Sequence, residues 1–131
     1  MAKKKKNPGD DFEDLSKFLF DQVVEKSPNV KIEGPKVFLE GPEGKREFDL
    51  VIRTIAFEQE YLTVIECRDY KKSRLDVTDL DGFHSKMLDI GASKGVFVTR
   101  KGFSNKARQK AKRLGISLFL AGDKILLPPT F

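Results

Sequence analysis

Two acidic residues stand where strand patterning calls for aliphatic ones. Asp49 interrupts the run Phe48-Asp49-Leu50-Val51-Ile52, and Glu66 sits within Val64-Ile65-Glu66-Cys67-Arg68. An ionised carboxylate among apolar neighbours is costly unless a cation or a metal compensates it. Alternate residues of a strand share a face, so Val64, Glu66 and Arg68 lie on one side and Ile65 and Cys67 on the other. If the two strands pair, Asp49 and Glu66 converge on one hard divalent cation, and oxygen donors suit magnesium. Such an ion activates a bound water while neutralising charge on a phosphate. The competing reading is a buried ion pair, Glu66 with Arg53 or Asp49 with Lys45. Two carboxylates followed by the positive run Arg68, Lys71, Lys72 and Arg74 favour metal-assisted phosphodiester hydrolysis.

These side chains need a scaffold, and the chain supplies its punctuation. Asp10 is a helix N-cap with Glu13 completing a capping box, and Phe12, Leu15, Phe18, Leu19 and Val23 give a buried stripe ending near Lys26. Strand-like runs follow at 37–40, 46–53 and 61–69, the first two joined by a turn from Gly41 to Gly44. Thr78 is the expected cap of a helix to Ile90, with Asp81 three residues on, Leu80, Phe83, Met87 and Ile90 inward, and Gly91 closing it. Strand 94–99, a helix from Ser104 to Leu114 stopped by Gly115, strand 116–120 and a short edge segment 125–127 complete the order. The pattern predicts an α/β fold, a mixed β-sheet core flanked by helices on both faces.

At 131 residues the chain is read as one domain over residues 10–131, preceded by a basic tail over residues 1–9. The formal charge of +5 is unevenly spread. From Lys94 to Arg113 there are eight Lys or Arg residues and no acid, so Arg100, Lys101, Lys106, Arg108, Lys110, Lys112 and Arg113 form a local basic field. Charge runs are usually solvated faces, but a helix this basic repels itself, and a phosphate backbone is the fitting partner. Lys71 and Arg74 are expected to touch phosphates. A polyanion is therefore expected, with nucleic acid ahead of an acidic membrane surface. The single cysteine, Cys67, cannot form an internal disulfide, which suits the cytoplasm. One Cys and one His, His84, cannot make a structural zinc site, nor do they suggest a nucleophilic pair. No apolar run approaches a membrane span, and no small-molecule cofactor is indicated.

Asp49 followed by Glu66-Cys67-Arg68 resembles the PD-(D/E)xK nuclease signature. The later run Gly95-Val96-Phe97-Val98-Thr99, Phe103-Ser104 and Ala111-Lys112-Arg113-Leu114-Gly115-Ile116 sharpens the likeness to the Mrr-like restriction endonuclease domain. That resemblance implies a restriction-endonuclease-like fold and metal-dependent DNA cleavage. It implies Asp49, Glu66 and the carbonyl of Cys67 as ligands of magnesium, with manganese able to substitute. A first-helix carboxylate, Glu13, approaches such sites in similar nucleases, although its capping position explains it equally well. The chain departs from the family where Arg68 replaces a lysine, because arginine does not deprotonate. Arg68 can orient water or stabilise a transition state but cannot act as a base. Lys72, just beyond the strand, is one replacement; the alternative is an attenuated domain that binds DNA or acts in assembly. Cutting both strands of a duplex needs two sites, hence an expected twofold homodimer.

Overall fold

The computed structural model describes residues 14, 16–18, 20–22, 25, 27–68, 75–121 and 126–127. Helix α1 is represented by its described residues between 14 and 22. The elements that follow are β1 (Val30–Glu33), β2 (Val37–Gly41), β3 (Gly44–Phe48), β4 (Leu50–Ala56), β5 (Gln59–Arg68), α2 (Val77–Ile90), β6 (Lys94–Thr99), α3 (Asn105–Leu114), β7 (Ile116–Ala121) and β8 (Leu126–Leu127). One six-stranded sheet runs in the order β1-β4-β5-β6-β7-β8, while β2 and β3 form a separate hairpin. β5 lies mid-sheet, antiparallel to β4 and parallel to β6. The sheet is thus mixed, with helices packed on its two faces, as the patterning predicts.

Strand periodicity sorts the core. Val64 of β5 and Phe97 of β6 face α2 and α3, meeting Leu80, Phe83, Met87, Ala107 and Ala111. Ile65, Cys67, Val96 and Val98 face the other way, towards Phe20 of α1. The alternation expected for β5 is therefore present, and it puts Glu66 on the α2 face.

The structure corrects several boundaries. Strand 46–53 is two strands, because the chain leaves the hairpin after Phe48, bends at Asp49 and enters the main sheet at Leu50. β1, unforeseen, is a short edge strand whose Val30 and Ile32 pair with Thr54 and Ile52. The cap of α2 is Asp76, not Thr78; its side chain accepts from Val77 N–H, and Asp79 closes the capping box. Phe18, expected in the buried stripe, is exposed, whereas Ser16 and Phe20 are buried. The inward face of α1 thus runs through positions four apart, and Phe18 lies between them on the outer side. The Gly91, Ser104 and Gly115 caps stand where expected. The tail, Asp10, Phe12, Leu15, Leu19, Val23 and Asp69 lie outside the described residues.

One local feature contradicts its sequence chemistry. β4 and β5 are joined by a two-residue loop between Ala56 and Gln59, with Phe57 and Glu58 at φ 52° and 61°. That left-handed pair suits Asn-Gly, and L-residues with bulky side chains resist it. Phe57 is 91% exposed and has no packing to lose. Replacing Phe57-Glu58 by Asn-Gly is expected to raise the unfolding free energy by about 1 kcal/mol or more, read by denaturant titration.

Candidate active site

Asp49 is held at the joint between hairpin and sheet. Lys36 N–H donates to its carbonyl at 2.8 Å. Gly34, at φ +138°, passes so close that a side chain there would meet the same carbonyl at 2.7 Å. The side chain turns to β5, where Asp49 Oδ2 accepts the Cys67 N–H at 2.7 Å. The β4–β5 ladder ends with Leu50 opposite Ile65, and the next step brings Asp49 against Glu66. Both carboxylates are buried, at 6% and 4% exposure.

Among the described residues, Arg68 and Lys86 answer them. Arg68 Nη2 lies 3.0 Å from Glu66 Oε2, and Arg68 Nη1 lies 3.9 Å from Asp49 Oδ2 while donating to the Cys67 carbonyl at 3.4 Å. Lys86 of α2 donates to Glu66 Oε1 at 2.5 Å, with its ammonium 4.6 Å from the centre of the Phe48 ring. Neither structural ion pair weighed from the sequence is among the described contacts of these carboxylates. Arg53 instead bridges Glu33 and Glu60, at 2.7 and 2.8 Å. Burial pushes the Glu66 carboxyl above the ordinary carboxylate range; the Lys86 hydrogen bond opposes this, the Asp49 charge adds to it, and the charges of Lys86 and Arg68 oppose it.

Glu47, Asp49, Glu66, Arg68 and Lys86 line a cavity of about 210 Å³. A larger one, about 510 Å³, shares Glu47, Glu66, Arg68 and Lys86 and adds Lys45 and Arg46 of the hairpin and Thr78, Asp79 and Gly82 of α2. Among the described residues no set of three or more His, Cys, Asp or Glu side chains could hold a metal ion. Two converging buried carboxylates nevertheless fit a hard cation that keeps most of its waters, as magnesium does. The donor chemistry and the confined polar space both suit such an ion.

Of the residues singled out from the sequence, Asp49, Glu66, Cys67 and Arg68 come together. Arg100 and Lys101 follow β6 directly beyond Thr99, which lies opposite Arg68 in the parallel ladder. Both are exposed at the site's end of the sheet. Lys106, Lys112 and Arg113 are exposed on α3, Arg108 is partly buried, and Lys110 pairs with Asp81 of α2 at 3.3 Å. Glu13, Lys71, Lys72 and Arg74 lie outside the described residues. Sequence reasoning missed Lys86 and Glu47. The sequence shows only that Thr78, Gly82 and Lys86 recur every four residues on one non-apolar stripe of α2, and not which strand that stripe faces.

The restriction endonuclease family model of the Mrr catalytic domain matches residues 6–126. The chain belongs to this family. No curated protein matches it. Among solved structures, the fold is shared with a protein of unknown function, AF1548, at TM-score 0.66 and 18% identity, covering 81% of this chain and 56% of that one. It is also shared with the DNA modification-dependent restriction endonuclease AspBHI, at TM-score 0.59 and 18% identity, covering 86% of this chain and 29% of that one. The MspJI restriction endonuclease, solved with a 27-mer oligonucleotide, matches at TM-score 0.51 and 16% identity, covering 86% of this chain and 26% of that one. The Mrr-family domain here therefore spans little more than half of one of these chains and under a third of the other two. Among the described residues no helix is long and apolar enough to cross a membrane.

The raised Glu66 pKa has a sign. Between the ordinary value of 4.5 and the raised one, the native state holds a proton that the unfolded chain has released, so stability falls as pH rises through that window. Glu66→Gln cannot ionise. In EDTA it is expected to melt higher than wild type at neutral pH, the difference shrinking to nothing below pH 4.5. A Glu66→Gln melting temperature at or below wild type at neutral pH would contradict the burial argument.

Proposed function

We propose that this chain is a divalent-metal-dependent DNA endonuclease, with magnesium as the working ion and manganese able to replace it. The observation that carries this reading is the convergence of Asp49 and Glu66, both buried, on one cavity edged by cations. Membership of a restriction endonuclease family, the DNA modification named for AspBHI and the oligonucleotide bound to MspJI support DNA as substrate.

Asp49 and Glu66, with the Cys67 carbonyl, would hold the ion. Bound there, it would supply an activated water and neutralise phosphate charge. Hydrolysis then joins the water oxygen to phosphorus as a P–O bond to sugar breaks, with one proton passing from the water to the departing oxygen. The Cys67 N–H fixes the Asp49 carboxylate in its rotamer, so the donor pair is organised before substrate arrives. Arg68, whose fork already spans both carboxylates, places positive charge beside the phosphate without exchanging protons. Lys72, just beyond the strand, is the replacement the sequence offers for the missing lysine, and Glu13 keeps its assignment by family resemblance. Arg100 and Lys101 at the strand end, Lys71 and Arg74 before α2, and Lys106, Arg108, Lys110, Lys112 and Arg113 on α3 receive the backbone on either side. A twofold homodimer would bring a second site to the opposite strand, and a buried cysteine outside any disulfide, Cys67, suits the cytoplasm.

Supercoiled plasmid incubated with magnesium or manganese tests the reading. Wild type is expected to nick or linearise it, and Asp49→Ala and Glu66→Ala each to lose at least about 10²-fold in rate. Cleavage that survives both substitutions overturns the site. In EDTA, alanine at Lys106 and Arg113 together is expected to flatten the slope of log affinity against log salt by about 0.9 per lost phosphate contact. An unchanged slope would remove α3 from the DNA-binding surface.

A further inference from the structure

The strand position that holds lysine in similar domains holds Arg68 here, yet a lysine reaches the same carboxylate from another element. Lys86 lies on the α2 face that lines the larger cavity, four residues after Gly82 and eight after Thr78. Side chains of a helix lean towards its N-terminus. That end of α2 is the end of the sheet where Leu75 bridges to Phe103, beyond β6, and where β5 finishes. The lean thus carries the Lys86 ammonium to Glu66 Oε1, and the Phe48 ring beneath it holds the approach. The stem is confined, with the side chain only 25% exposed.

Gly82 fits the same arrangement. Glycine inside a helix costs about 0.5–1 kcal/mol relative to alanine. No close packing demands it here, because an added Cβ would meet nothing within 4 Å. A bare backbone one turn before Lys86 leaves the cavity open along α2. The two oxygens of Glu66 are also divided, Oε1 to Lys86 and Oε2 to Arg68. Arg68, 44% exposed, spans both carboxylates, whereas Lys86 addresses one and otherwise faces the cavity.

We propose that Lys86 is the lysine of this site, delivered by α2 instead of β5, and that it donates to a non-bridging oxygen of the scissile phosphate while Arg68 holds the carboxylate pair. The assignment rests on the nuclease reading above. Lys86 acts as a hydrogen-bond donor to the phosphate, and no proton transfer is assigned to it.

Plasmid cleavage by wild type, Lys86→Gln, Arg68→Lys/Lys86→Gln and Arg68→Lys provides the first arm. Glutamine removes the charge and keeps an amide donor on a stem of similar length, and melting curves verify the fold. Lys86→Gln is expected to lose about 10²–10³-fold in rate. Arg68→Lys in that background is expected to recover most of the loss, because it returns a lysine to the site from β5. Wild-type cleavage by Lys86→Gln overturns the proposal, as does a loss in a folded protein that Arg68→Lys leaves unrepaired. The second arm needs no turnover. With lysine labelled at 13Cε, the Lys86 signal (identified by its loss in Lys86→Gln) should move when duplex DNA is added in calcium, beyond its shift with calcium alone. A Lys86 signal unmoved while other lysines respond overturns the proposal. If wild type cuts nothing with any divalent ion, the nuclease reading falls, and the labelled signal alone decides whether Lys86 meets phosphate.

Discussion

Two carboxylates buried side by side repel each other, and most of this fold around β5 can be traced to keeping them there. Glu66 suffers both the loss of water and the Asp49 charge, and nothing about stability asks for either residue in that position. Their neutralisation comes from two directions, Arg68 at the strand end and Lys86 across from α2. A buried ion cluster of this kind is weak as a stabilising device, since desolvation offsets much of the attraction. It makes sense as a cation site held in readiness, with protein cations standing near where a metal and a phosphate would meet. Stability given up at a working site is a familiar trade.

The geometry depends on a change of sheet. If β3 had run straight on into β4, strand alternation alone would have set the direction of Asp49. Instead the chain bends there, Gly34 and Lys36 clamp the Asp49 backbone, and the carboxylate is tied to the Cys67 N–H. The hairpin is itself held to α2. Gly41 packs directly against Asp89, and Arg46 lies 3.6 Å from the same carboxylate. One helix thus positions the hairpin wall and supplies Lys86 to the cavity between.

The chemical residues were more legible than the joints. Asp49 and Glu66 stood out because each breaks an apolar run, and Gly91, Ser104 and Gly115 announced helix ends through backbone needs that few residues meet. The break at Asp49 was hidden because β3 and β4 are contiguous and both extended; only their partners differ, and partners are long-range facts. β1 is four residues long, too short for alternation to speak above background. Asp76 and Thr78 both have side chains that can cap, and the capping box with Asp79 decided between them. Lys86 was invisible for another reason. A lysine on a helix surface is unremarkable until the strand it faces is known, and no spacing along the chain connects position 86 to position 66. The basic α3 was legible as charge, but not that Lys110 would find an acid on the neighbouring helix.

The account turns on Asp49 and Glu66 forming one cation site. Paramagnetic broadening by manganese in the amide spectrum of the isotope-labelled protein reads this without DNA or turnover. Substoichiometric manganese is predicted to bleach the amides of Asp49, Glu66, Cys67 and Arg68 first, and to spare them in Asp49→Asn/Glu66→Gln. Broadening centred elsewhere, or unchanged in the double variant, would contradict it.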